Sequence, residues 1–181
     1  MKPQSTQARK SASSRFQAKA SIAGREVKPT RILVPTDFSK PSLRALQTAA
    51  DFARLYGGRI TLLYVLEPPA LPTLPTFPNA VKVGIWTAEL RSQLDKLGRK
   101  HIDPEHYQRA LVHYGKPVDE IVGAARVHKM DLIVIATHGY TGLQRVLLGS
   151  TAERVIRYAP CPVLTVHLEQ KSGWPTSART P

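Results

Sequence analysis

Apolar and polar positions along this chain alternate in blocks of two kinds, short apolar runs and longer periodic stretches. The five short runs are bounded by polar, proline or glycine residues, as buried β-strands usually are. They cover residues 31–37, 59–65, 107–113, 131–136 and 162–166. These runs predict five strands.

The periodic stretches between the runs predict helices. After the first run, Ser39 and Pro41 favour a helix start, and Gly57 is a typical helix stop. Apolar residues at helical spacing also predict helices over 85–101, from 117 onward and over 150–158. Segment 67–83 contains five prolines and no periodicity, which predicts a long loop.

The order of these elements, β-α-β-α-β-α-β-α-β, defines the expected fold class. Apolar strands that alternate with helices predict an α/β domain with a single five-stranded parallel sheet and helices on both faces. In such sheets, ligands bind beyond the carboxyl ends of the strands, near a reversal in strand order. Asp37, Val65 and residues 136–150 should therefore meet at one edge.

Composition excludes several classes of protein. The single cysteine, Cys161, cannot form a disulfide framework or a cysteine-rich metal site. No apolar run approaches the roughly 18 residues of a membrane span. The six histidines show no metal-binding spacing, so we expect no metal held by the protein itself.

The net charge of +13 is concentrated at the start of the chain. Residues 1–30 contain seven Lys or Arg and one acid, a net charge of +6, with few large apolar residues. We expect residues 1–29 to form a basic disordered tail and 169–181 a flexible C-terminal tail, around a domain spanning 30–168. Contact with nucleic acid or an anionic surface, or a targeting role, are alternatives for the basic tail.

Gly139, Gly149 and Ser150 form the candidate site for an anion. Glycine lets the backbone approach a ligand closely, and the free N–H groups at the start of a helix attract phosphate. The alternative is purely structural, because Ser150 and Glu153 match a helix capping box. Neither the P-loop motif nor the dinucleotide fingerprint G-x-G-x-x-G is present.

Four blocks of sequence resemble the universal stress protein family. They are ILVPTDFS at 32–39, DLIVIATHGYTGL at 131–143, LLGSTAERV at 147–155 and APCPVL at 159–164. The resemblance extends from about residue 31 to residue 167. The family's nucleotide motif, G-x-x-G-x9-G-[ST], maps onto Ala136, Gly139, Gly149 and Ser150, with alanine in place of the first glycine.

The resemblance implies a Rossmann-like domain, similar to the adenine nucleotide alpha hydrolases, with strand order 3-2-1-4-5. It also implies ATP binding, with Mg²⁺ or Mn²⁺ bridging the phosphates, and a homodimer formed through strand 163–166. Asp37 and Val65 would contact the adenosine, while Gly139, Gly149 and Ser150 would contact ribose and phosphates. The full set of implied nucleotide-binding residues is Pro35, Thr36, Asp37, Val65, Ala136, Thr137, His138, Gly139, Gly142, Arg145, Gly149, Ser150 and Thr151.

We therefore predict that the chain is a nucleotide-responsive stress or signalling protein, located in the cytoplasm, that acts on an unidentified protein partner. No G-x-S-x-G elbow surrounds Ser150, so we expect slow ATP hydrolysis at most rather than dedicated catalysis. Ala136 favours one alternative, a dimeric scaffold without nucleotide. Two further alternatives, a nucleic-acid-associated protein and an adenylyl-transfer enzyme, lack their characteristic motifs.

Overall fold

Strands and helices alternate throughout the part of the chain that the computed structural model describes, residues 28–68, 80–137 and 148–167. In chain order the elements are β1 Arg31–Pro35, α1 Lys40–Tyr56, β2 Arg59–Leu66, α2 Ala80–His101, β3 Tyr107–Tyr114, α3 Pro117–Val127, β4 Leu132–Ala136, α4 Ser150–Tyr158 and β5 Val163–Val166. The five predicted strands are confirmed, with ends that differ by at most two residues.

The predicted loop over 67–83 is wrong at its end, because α2 begins at Ala80 rather than at residue 85. The last proline of that segment is Pro78, so nothing after it bars the backbone N–H groups from a helix. The rest of the predicted loop, residues 69–79, lies outside the described residues. So do the two predicted tails, apart from Lys28 and Pro29.

The sheet has the order β3-β2-β1-β4-β5, and every neighbouring pair is parallel. This confirms the α/β class and the predicted order 3-2-1-4-5. Strand β1 lies at the centre and is buried from Ile32 to Pro35. The chain adds strands on one side of β1 first and then crosses to the other side, so the order reverses between β1 and β4.

Helices cover both faces of the sheet, as predicted. Side chains alternate along β1, so Ile32 and Val34 pack with Leu46 of α1 and Leu94 of α2 in one core cluster. Leu33 packs on the other face with residues of α3 and α4, among them Ile121 and Val155, in a second cluster. The two clusters hold the carboxyl ends of the strands in fixed relative positions.

The predicted start and stop of α1 are confirmed. Ser39 is the N-cap, and its side chain accepts a hydrogen bond from the Ser42 N–H at 3.3 Å. Gly57 ends the helix in the left-handed region, with φ of 68°, and its N–H donates to the Ala53 carbonyl. No helix within the described residues is long and apolar enough to cross a membrane.

Candidate functional site

A cleft of about 350 Å³ opens at the carboxyl edge of the sheet. The ends of β1 and β4 both line it, so it lies at the point where the strand order reverses, as expected for a doubly wound sheet. The lining residues are Pro35, Thr36, Asp37, Ser42, Leu63, Tyr64, Val65, Glu67, Pro117, Ile121, Ile135, Ala136, Thr137, Gly149, Ser150, Thr151 and Ala152.

The cleft brings together nine of the residues singled out from the sequence. These are Pro35, Thr36, Asp37, Val65, Ala136, Thr137, Gly149, Ser150 and Thr151. The other four, His138, Gly139, Gly142 and Arg145, lie outside the described residues.

Sequence reasoning missed several residues that line the cleft. Tyr64 and Glu67 lie within two residues of Val65, around the end of β2, so the rule that selected Val65 could have found them. Pro117 and Ile121 come from the start of α3. No local signal in the sequence placed the start of α3 beside the ends of β1 and β4.

Hydroxyl groups hold the turn between β1 and α1 that forms one wall. The buried Thr36 and Ser42 hydroxyls lie 2.9 Å apart, and the Phe38 N–H donates to Thr36 Oγ1 at 3.1 Å. Phe38 occupies the left-handed region with φ of 62°. Asp37 Oδ1 accepts a hydrogen bond from the Ser39 N–H at 3.0 Å, so this carboxylate both braces the turn and lines the cleft.

Thr137 connects three elements at the opposite wall, and only 1% of its surface is exposed. Its N–H donates to the Val166 carbonyl at the end of β5, at 3.1 Å. Its carbonyl accepts from the Gly149 N–H at 2.6 Å, which ties the start of α4 to the end of β4. Its hydroxyl lies 3.0 Å from Nδ1 of His167. Thr137 therefore couples the cleft to the last strand of the sheet.

The start of α4 corrects one interpretation of the sequence. Gly149, not Ser150, is the N-cap, and the Gly149 carbonyl accepts from the Glu153 N–H at 3.0 Å. The predicted capping box is wrong because Ser150 and Glu153 each sit one position too late in the helix. No side chain of the described residues caps the helix, and Ser150 is exposed. The first-turn N–H groups of residues 150–152 therefore border the cleft without a capping side chain.

The described lining carries an uneven charge. Its charged side chains are Asp37 and Glu67, both acids, at the ends of β1 and β2. The described residues contain no group of three His, Cys, Asp or Glu side chains that could hold a metal ion. Attraction for an anion within the described lining comes from the N-terminus of α4.

Fold and cleft together define a doubly wound α/β protein with a cleft at the switch point of its sheet. Comparison with known proteins identifies the family within this class. The model of the Universal stress protein family matches residues 29–167. Universal stress protein MJ0531 of Methanocaldococcus jannaschii is 37% identical over 158 residues, covering 78% of this chain and 84% of that relative. The chain belongs to the universal stress protein family.

Solved structures agree with this assignment. The structure of MJ0577, a universal stress protein of Methanocaldococcus jannaschii, matches with a TM-score of 0.69 and 29% identity, covering 79% of this chain and 99% of that chain. A universal stress protein solved in complex with cAMP matches with a TM-score of 0.54 and 26% identity, covering 77% and 98% of the two chains.

Proposed function

We propose that this chain binds an adenine nucleotide, ATP in particular, and acts as a dimeric stress-response or signalling protein rather than as a dedicated enzyme. The observation that carries the proposal is the cleft at the reversal of strand order, bordered by the first turn of α4, which no side chain of the described residues caps. The relative solved with cAMP supports a nucleotide as the class of ligand.

The described residues fit such a ligand. A cleft of about 350 Å³ lies within the usual range for small-molecule sites, roughly 300–1,000 Å³. Apolar side chains such as Val65, Ile121 and Ile135 offer a surface for the base. The N–H groups of the first turn of α4 and the hydroxyls of Ser150 and Thr151 suit phosphate.

Binding of ATP also requires that the cleft accommodate the Ala136 side chain and a cation bound to the phosphates. Ala136 ends β4 and lines the cleft where the family motif has its first glycine, so its methyl group is the added bulk that the ligand must tolerate. A divalent cation, Mg²⁺ or Mn²⁺, would be held chiefly by the phosphates themselves. It would offset the two carboxylates of the lining.

The proposed dimer uses the outer edge of β5. Val163–Val166 pairs with β4 on one side, and its residues are half-buried. An apolar edge strand requires cover, and a symmetric dimer is the commonest way to provide it. Sedimentation equilibrium tests this, since a monomer at all concentrations would contradict it. The domain limits 30–168 and a cytoplasmic location stay predictions.

Calorimetric titration with ATP and Mg²⁺ tests the nucleotide itself, on wild type and on Gly149→Val. Gly149 has φ of −68°, which any residue adopts, so valine adds a side chain beside the cleft without straining the backbone. We expect micromolar binding by wild type and at least about tenfold weaker binding by the variant, a loss of about 1.4 kcal/mol.

Gly123→Val is the matched control, because Gly123 lies in α3 with no atom within 4 Å of an added Cβ. It should bind ATP as wild type does. If wild type shows neither heat nor thermal protection at millimolar ATP, the nucleotide proposal is wrong, and a dimeric scaffold without nucleotide replaces it.

A further inference from the structure

The cleft has two ends of different electrostatic character. Asp37 and Glu67 place two carboxylates at the ends of β1 and β2, in a protein whose net charge is +13. The start of α4, with Gly149 as its cap, lies beside β4 on the other side of β1. These two ends would orient a ligand that has an anionic group and a hydrogen-bond-donating edge. The anionic group would lie at the start of α4, and the donors would face the carboxylates of Asp37 and Glu67.

The two acids differ in what they already bind. Asp37 accepts a hydrogen bond from the Ser39 N–H within its own turn. Glu67 follows the last residue of β2, is exposed, and makes no hydrogen bond or ion pair among the residues that the structure describes. The Glu67 carboxylate can thus accept hydrogen bonds from a ligand without breaking a contact of the described fold.

The sheet geometry sets how far Glu67 lies from the anion end. Strand β1 separates β2 from β4, and neighbouring strands are about 4.8 Å apart, so the ends of β2 and β4 are roughly 10 Å apart. A purine nucleoside monophosphate extends over a similar distance from its phosphate to the far edge of its base. Glu67 is also two residues beyond Val65, and side chains two apart along an extended chain share a face.

We propose that Glu67 determines which purine the cleft accepts. Its carboxylate accepts a hydrogen bond from the exocyclic 6-amino group of adenine, because an ionised carboxylate has acceptors only. A purine that lacks the 6-amino group leaves this carboxylate without its hydrogen-bond donor. This inference rests on the proposed nucleotide function and adds the residue that selects the base. Loss of a matched donor at such a contact is a strong source of discrimination.

The test compares adenosine monophosphate with purine riboside monophosphate, which keeps the N1 acceptor and lacks only the 6-amino group. Both are titrated into wild type, Glu67→Ala and Glu105→Ala. Alanine has no acceptor, so Glu67→Ala removes the hydrogen bond to the 6-amino group. Glu105 is the matched control, because its side chain is 78% exposed and it precedes β3 at the opposite edge of the sheet.

Wild type should bind the adenosine compound at least about tenfold more tightly, and Glu67→Ala should reduce this ratio to within about threefold, mainly by weakening the adenosine compound. Glu105→Ala should keep the wild-type ratio. If Glu67→Ala binds both compounds and keeps that ratio, or if wild type binds both equally, the role of Glu67 is wrong while nucleotide binding stands. If wild type binds neither these compounds nor ATP, both proposals fall.

Discussion

Replacing Gly98 by alanine should destabilise this protein, although the same change in most helices does the opposite. Gly98 lies inside α2, where alanine is favoured over glycine by about 1 kcal/mol. An added Cβ would, however, lie 2.8 Å from Cζ and 3.0 Å from Cδ2 of the Tyr107 ring. The ring resists displacement, because its hydroxyl donates to Asp95 and the Arg99 guanidinium lies 5.9 Å from its centre.

The balance of these effects sets the magnitude. Overpacking of this kind costs about 1–3 kcal/mol, and a shift of the ring would also weaken the hydrogen bond to Asp95, worth about 1 kcal/mol or more. The net expectation is a loss of roughly 1–3 kcal/mol. Gly123→Ala in α3 is the matched comparison, since nothing lies within 4 Å of its added Cβ. It should gain up to about 1 kcal/mol.

Urea unfolding followed by circular dichroism measures both variants through their midpoints. In a Tyr107→Val background the ring is absent, so Gly98→Ala should become neutral or stabilising, and the double-mutant cycle isolates the clash. The reasoning is refuted if Gly98→Ala is as stable as Gly123→Ala in the otherwise wild-type chain.

Two further predictions concern pH. Asp131 accepts hydrogen bonds from the Arg31 guanidinium, 2.9 Å away, and from Thr30, and these bonds lower the pKa of the Asp131 carboxyl. Asp131 therefore stabilises the folded state above its unfolded pKa of about 4, and this stabilisation is lost as pH falls through the pKa of the folded state. Asp131→Asn should lower Tm by roughly 2–4 °C at pH 7 and by less near pH 3. An equal difference at both pH values would contradict this. Burial, and then the neighbouring Arg109, lower the pKa of His128. The unfolded chain then takes up a proton at His128 before the folded chain does, so stability falls as pH drops below about 6.5. His128→Gln should flatten this part of the profile in urea midpoints measured at pH 5.5 and 8, and an unchanged profile would count against the assignment.

The N-cap of α4 depends on a contact between residues that are distant in the sequence. From the sequence, Ser150 and Glu153 match a capping box, and the helix range 150–158 itself was predicted. The structure makes Gly149 the cap instead, because its N–H is held by the Thr137 carbonyl at the end of β4. That bond joins residues twelve positions apart in the chain, so no pattern of neighbouring residues reports it.

Sequence alone determined the strands and most of the helices, because apolar runs, helical periodicity and helix-ending residues are local properties that follow from backbone geometry. The strand order 3-2-1-4-5 was implied by the resemblance to the universal stress protein family. The general rule for parallel sheets then placed Asp37 and Val65 at the edge where the cleft lies. Only the tertiary structure decided that the start of α3 borders the same cleft, and that no side chain caps α4 among the described residues. Both features depend on how strands that are far apart in the chain align in the sheet, and on how the helices pack on its two faces. No local pattern in the sequence specifies either.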